Sequence, residues 1–440
     1  MDFTIPHALL DFIHQSPSCY HVIANIQHEL EQNGYQPLSE GEAWNLVPGG
    51  AYYVVRNGSS ITAFRIPKQD WQGFMIVDSH SDAPTFKVKE QAELTVENQY
   101  VQLNTERYGG MLCSTWLDRP LSVAGRVMVN CGHTNTIESS LVNIDRDLLL
   151  IPNVAIHMNR HANDGYPWNA NVDLFPLFGD GSAKGTFREL IASAAGVTAQ
   201  ELLSTDLFLY CRTPGTIWGA DNPFLSAPRL DDLQCVFSSV RAFLSAKDGA
   251  SVPVCCVFDN EEVGSNTKQG AASTFLPDVL QRLNAALGRT ASEYNMAVAN
   301  SFLVSADNAH AVHPNHPEYA DKTHRPVLNG GIVIKFNANQ RYTTDAVSCA
   351  IFSKICERAA VPVQYFTNRS DLAGGSTLGS IANTQVSLNS VDIGLPQLAM
   401  HSAYETAGVR DTAWLIQALT VFFETALYTR PNGSYFLSSH

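Results

Sequence analysis

Carboxylates and imidazoles crowd into five short stretches of the chain: His80-Ser81-Asp82, Asp231-Asp232, Glu261-Glu262, the loop with Asp307, His310 and His313, and His401. Imidazole and carboxylate without thiolate form the donor mixture for zinc, manganese or cobalt in a hydrolytic site, not for a structural zinc cluster. A His-x-Asp pair on extended backbone has both side chains on one face, so Asp82 can accept from the second ring nitrogen of a metal-bound His80. Adjacent glutamates in FDNEEVGS face opposite ways, which suits one to holding metal and the other to working on water. Two cations close together need a bridging carboxylate. Asp231, after Pro228-Arg229-Leu230, is the expected bridge. Such an ion pair lowers the pKa of a shared water, polarises a carbonyl and stabilises the oxyanion, and hydrolysis of a peptide bond needs all three.

These residues must be brought together by elements far apart in the chain. Helix is expected over 6–33 with a break at Ser16-Pro17-Ser18, then strands AYYVV (51–55), ITAFRI (61–66) and GFMIVDSHSD (73–82). An apolar strand that ends abruptly in polar residues is where open α/β sheets carry their sites. From about 91 to 227 the texture changes to alternating runs such as ELTVENQYVQL, rich in Gly and Asn, which reads as a β-rich insertion. After Arg229, helices near 231–247, 268–287, 344–359 and 411–428 alternate with strands VPVCCVF, SFLVSAD, GIVIKF and VPVQYF. The predicted fold class is therefore α/β: a mixed, mainly parallel sheet covered by helices, in a discontinuous domain (1–90 and 228–440) interrupted by a β-rich one (91–227).

Composition narrows the function classes. At 440 residues, 45% apolar and 16% charged, the chain can bury a large core. With 28 basic and 42 acidic residues, the net charge of −14 argues against a nucleic-acid partner. No run approaches the roughly 18 uninterrupted apolar residues of a membrane span, and the N-terminus lacks a signal-peptide pattern. Nine cysteines without paired spacings fit reduced thiols, so a cytoplasmic location is expected.

Motifs along nearly the whole chain resemble, in order, those of the aspartyl aminopeptidases, a family of cocatalytic dinuclear zinc exopeptidases. They include SHSDAPTFKVK, RYGGMLCSTWLDRPLSVAGRV, IPNVAIHMNR, SAPRLDDLQ, FDNEEVGSNTKQGA, SADNAHAVHPN, GIVIKFNANQRYTTD, GGSTLG and DIGLPQLAMHSAYE. The resemblance implies that His80 and Asp307 hold one metal, Glu262 and His401 the other, and that Asp231 bridges them. It makes Glu261 the general base and Asp82 the residue that orients His80. It further implies a β-rich dimerisation domain, a homo-oligomer that is a dodecamer built from dimers, and a His157 that reaches a neighbouring subunit's active site. Two positions depart from the pattern: Asp232 stands where Asn is expected, and Asn260 where some members have His.

An exopeptidase must recognise a free α-amino group, for which Asp307 or Asp371 is the candidate. Preference for peptides with an N-terminal Asp or Glu requires a cation facing that side chain, because a desolvated carboxylate left unpaired is heavily penalised. Lys335, at the end of the strand GIVIKF, is the expected cation, with Arg341 and Tyr342 close behind. His310 and His313 have no assigned place in the ligand set and could face either the acidic side chain or the oxyanion. A broad-specificity metalloaminopeptidase for neutral residues would use the same metals without that cation. A dinuclear phosphoesterase would bring a basic cluster, which the ligand segments lack.

Overall fold

The computed structural model describes residues 2–130 and 135–438. The central element is the strand Phe74–His80, buried at every position. Its alternation serves two cores. Phe74 and Ile76 join one apolar cluster, and Met75 and Val77 join the other. Residues of opposite parity point to opposite faces, so a continuous apolar run is what a strand covered on both sides requires.

Nine strands form the main sheet, in the spatial order Gln36–Leu38, Ala51–Arg56, Ser60–Arg65, Val252–Phe258, Phe74–His80, Phe302–Ala306, Asn389–Gly394, Ile332–Phe336 and Val363–Thr367. Five of the eight pairings are parallel and three antiparallel, so the sheet is mixed and mainly parallel as the alternating pattern predicts. One face packs on helices Thr4–Gln15, Cys19–Gln32, Leu230–Ser245, Ala346–Arg358 and Asp411–Phe423. The other packs on Phe275–Ala286, Ala291–Ala299 and Leu378–Gln385. Fully burying each Phe or Ile in these layers is worth about 1.5–3 kcal/mol.

A second sheet is wholly antiparallel, with six strands in the order Ile137–Asn143, Leu121–Asn130, Leu202–Cys211, Thr85–Val96, Tyr100–Tyr108 and Leu177–Asp180. It has its own core around Phe86, Leu103, Trp116 and Leu121. Strands Thr216–Trp218 and Phe224–Ala227 do not join this sheet. They pair instead in a five-stranded sheet with Glu405–Gly408, Pro396–Leu398 and Ala309–His310, an element that the sequence pattern did not reveal.

Two helix expectations need correction. The helix expected from 268 starts only at Phe275, because residues 264–274 form turns behind the glutamate pair. The helix expected to reach 428 ends at Phe423, and Ala426–Thr429 pairs with Tyr435–Ser438. Among the described residues no helix is long and apolar enough to cross a membrane. The eight described cysteines are all free, and Cys131 lies outside the described residues.

Candidate metal centre

Three neighbouring parallel strands of the main sheet end side by side. Phe74–His80 ends on His80, Val252–Phe258 leads into Glu261 and Glu262, and Phe302–Ala306 leads into Asp307. Asp231 enters from the start of the helix Leu230–Ser245, where it and Asp232 have non-helical dihedrals and share a cis peptide bond. His401 sits in the turn joining Pro396–Leu398 to Glu405–Gly408. Asp307 is set by close packing: a Cβ on Gly394 would lie 2.0 Å from its carbonyl oxygen.

Two of the three donor sets share Asp231. His80 Nε2 lies 3.5 Å from Asp231 Oδ1 and 3.9 Å from Asp307 Oδ1. His401 Nε2 lies 3.4 Å from Asp231 Oδ2 and 3.4 Å from Glu262 Oε2. These separations exceed a good hydrogen bond. They match donors around a tetrahedral zinc, which at about 2.0–2.1 Å from the ion sit roughly 3.3–3.4 Å from one another. His80, Asp231, Asp232 and Asp307 form one group of potential ligands; Asp231, Glu262 and His401 form another; and His80, Glu261 and Glu262 form a third. Asp231 Oδ1 and Glu262 Oε1 are buried without a hydrogen-bond partner, a costly state for a carboxylate oxygen unless a cation faces it. The residues present therefore fit divalent metal.

Electrostatics carries the same message. Burial works against charge throughout, yet the carboxylates of Asp231 and Asp82 hold the His80 imidazole well above its usual pKa. Burial pushes the Glu261 carboxyl up to about 8, with Asp307, Asp82 and Asp231 adding to the rise and His80 opposing it. Glu262 is likewise raised well above the usual carboxylate range, by burial and then by Asp231. Asp231 would be raised by burial too, but the two imidazoles hold it below the ordinary range.

Asp82 gathers the site from behind. Its carboxylate accepts from the backbone N–H of Glu261 at 3.1 Å and of Glu262 at 3.2 Å, and from the Tyr108 hydroxyl at 2.7 Å. The expected bond from His80 is modified: Nδ1 lies 3.0 Å from the Asp82 backbone carbonyl and 3.4 Å from its carboxylate. Asn260 donates to the same Tyr108 hydroxyl at 2.8 Å and accepts from Thr267 and Gln269, so its place next to the glutamates is structural. Tyr108 comes from the six-stranded sheet and was not foreseen, nor was Glu405, which accepts from the backbone of Asp231 and His401.

The expected substrate residues divide: Lys335, Tyr342 and His310 lie on the Asp307 side of the cluster, and the others are at the surface. Lys335 is 2% exposed, and its ammonium donates to the Asp307 carbonyl at 2.8 Å, lies 3.6 Å from the Asp307 carboxylate and stands 5.1 Å above the Tyr342 ring. Tyr342 is buried beside it, and Arg341 is exposed. His310 is exposed, edge-on to Phe366, and His313 packs on His316. Asp371 is at the surface in a two-pronged pair with Arg369, outside every potential ligand group. His157 is exposed in a turn-rich segment, away from the donors of its own chain's ligand groups. A cavity of about 310 Å³ borders Asp82, Asp231 and Glu405, but none of Glu261, Asp307, Lys335 or His310 lines it, so it lies on another side of the cluster from these residues.

The family described as aminopeptidase I zinc metalloprotease (M18) matches residues 12–423. A probable M18 family aminopeptidase 2 of Clostridium acetobutylicum is 44% identical over 421 residues, 94% of this chain and 97% of the relative. The Ape4 chain in its cryo-EM complex with Nbr1 superposes with a TM-score of 0.92 at 36% identity, over 95% of this chain and 85% of that one. The S. cerevisiae mApe1 dodecamer gives 0.84 at 30% identity, over 96% of each chain. With its donor set and main sheet in hand, the chain belongs to the M18 family and is a zinc metalloaminopeptidase.

Proposed function

We propose that this enzyme removes the N-terminal residue of peptides, preferring Asp or Glu, at a centre of two divalent ions served by a glutamate base. The observation that carries the reading is the division of Asp231: one oxygen faces His80, the other faces His401. His80 and Asp307 would hold one ion, Glu262 and His401 the other. When bound, the ions supply Lewis-acid polarisation of the scissile carbonyl and a more acidic water.

The chain's own residues do the rest. Glu261 takes a proton at its carboxylate from the attacking water and returns it to the leaving amine. Asp82 fixes the Glu261 backbone and the His80 ring so that base and ligand keep their spacing. Asp307 receives the substrate's α-amino group. Lys335 has three N–H donors; the ammonium donates to the Asp307 carbonyl and lies 3.6 Å from its carboxylate, and a remaining donor would meet an acidic first side chain. Tyr342 backs Lys335 from its buried position, and Asp371, Arg341, His310 and His313 are left to the rim of the substrate cleft.

The S. cerevisiae relative is a dodecamer, and we extend that assembly to this chain, as one built from dimers with 91–227 as the dimerisation domain. Support comes from Val154, Ile156 and Met158, which are 52%, 46% and 82% exposed around His157, an apolar edge suited to a partner subunit. Free cysteines throughout the described residues suit the reducing cytoplasm. The test is zinc analysis combined with a panel of aminoacyl anilides, before and after chelation. Two ions per chain and fastest turnover of Asp and Glu anilides are expected. One ion per chain would sink the dinuclear centre, and faster turnover of Ala or Leu anilides would sink the acidic preference.

A further inference from the structure

Glu405 lies at the crossing of two chain segments that each carry a ligand. Its strand, Glu405–Gly408, pairs on one side with Pro396–Leu398, from which the turn bearing His401 emerges. On the other side it pairs with Phe224–Ala227, where Ala227 is the partner of Glu405 and the chain runs on through Pro228 to Asp231. The Glu405 side chain is 2% exposed. Its Oε2 accepts the Asp231 backbone N–H at 3.0 Å and its Oε1 accepts the His401 backbone N–H at 2.7 Å. One buried carboxylate therefore ties the bridging residue to a ligand about 170 positions away in the chain.

Both N–H groups need such an acceptor. Asp231 is at a helix start, where backbone donors have no partner within the helix. His401 has a φ of 65°, in the left-handed region where a residue with a Cβ is strained and persists only if its surroundings hold it. The arrangement mirrors Asp82, which accepts the backbone N–H groups of Glu261 and Glu262.

We infer that Glu405 is a positioning residue of the metal centre: it touches no donor atom but fixes the distance between the Asp231 and His401 side chains that hold the second ion. The inference rests on the two-ion reading above. A glutamine at this position keeps one acceptor oxygen and turns an N–H donor toward the other backbone N–H, so one of the two bonds must open. Mutation of groups that orient ligands in this way typically weakens metal binding about 10- to 100-fold.

The experiment titrates the chelator-stripped full-length chain with zinc alone against a chromophoric competitor. Glu405→Gln should lose about 10- to 100-fold in affinity for one of the two ions. Asp411→Asn is the matched control, because Asp411 is equally buried and also accepts two backbone N–H groups, from Asn329 at 2.7 Å and Gly331 at 3.0 Å. That variant should lower the melting temperature of the metal-free chain without changing zinc affinity. If Glu405→Gln does not fold, Glu405→Asp, which keeps the charge and can still reach one N–H, is titrated instead and should show a smaller loss of the same ion. Unchanged affinity in the Glu405 variants, or an equal loss in Asp411→Asn, overturns the positioning role while leaving the two-ion reading intact. A wild-type chain that takes up fewer than two ions overturns both.

Discussion

The Tyr108 hydroxyl donates to Asp82 at 2.7 Å, so a residue of the six-stranded sheet completes the polar shell behind the metal centre. The same oxygen accepts from Asn260, and the two bonds lock Asp82 between the strand that ends on His80 and the turn that carries the glutamates. Tyr108→Phe removes both and leaves the ring in place against Phe208. A hydrogen bond to a charged group is worth about 1.5–3 kcal/mol. We expect kcat to fall by about tenfold or more, with zinc still bound. Steady-state kinetics on an Asp anilide with parallel metal analysis checks it, and unchanged kcat would mean that Asp82 is held well enough by the backbone alone.

Glu261 and Glu262 should separate cleanly. Glu262 Oε2 approaches His401, and Oε1 is buried without a partner, whereas Glu261 is not within the Asp231–His401 group. Glu261→Gln should keep both ions and lose about 10² to 10⁴ in turnover, the usual share of a general base. Glu262→Gln should lose metal and activity together. Metal content and kcat measured on the two variants decide the assignment. Near-native turnover in Glu261→Gln would move the base elsewhere.

Most of the site residues legible from sequence share one property: they follow an apolar strand directly. His80, the glutamate pair and Asp307 end runs whose burial could be read from residue type, and parallel strands bring such ends together. His401 was legible as a candidate donor, but its pairing with Glu262 came only through family resemblance, because its hairpin belongs to a small sheet built from segments near 217, 225, 309, 397 and 406. Local alternation tells that a segment is a strand, not which sheet it joins. Glu405 and Tyr108 were invisible for the same reason: they act on backbone or hydroxyl groups brought near only by folding. Lys335 was correctly placed at a strand end, but its partnership with the Asp307 carbonyl depends on the close approach of Gly394, which no local pattern encodes.

A pH effect is expected where the six-stranded sheet meets the N-terminal helices. Asp206 accepts from Lys87 at 2.9 Å, Arg126 at 2.8 Å and Tyr20 at 3.2 Å. Burial opposes it, but the two cations hold its carboxyl below the ordinary range. A carboxyl whose folded pKa is depressed adds stability above its unfolded pKa, about 3.9, and that stability is lost as pH falls through the lower folded value. Asp206→Asn should therefore cost about 1–2 kcal/mol at pH 7, with partial exposure screening the pairs, and much less near pH 2. Urea midpoints of both proteins across that range provide the measurement. An equal cost at both ends would assign the effect to packing.

The specificity prediction turns on the double duty of Lys335. Its ammonium steadies Asp307 and, in the proposed function, meets the carboxylate of an acidic first residue. Lys335→Met removes both roles, so every substrate should lose some turnover through the loosened Asp307. Asp- and Glu-terminated peptides should lose more, because a charge-assisted contact in a desolvated pocket is worth roughly 1.5–3 kcal/mol, about 10- to 150-fold. The informative quantity is thus the ratio of kcat/KM for Asp- over Ala-terminated peptides, in which the shared loss cancels. That ratio should fall by about 10- to 150-fold in Lys335→Met, with zinc content measured alongside. A ratio equal to that of the wild type would confine Lys335 to holding Asp307 and pass the recognition of acidic residues to Arg341, His310, His313 or the partner subunit's His157.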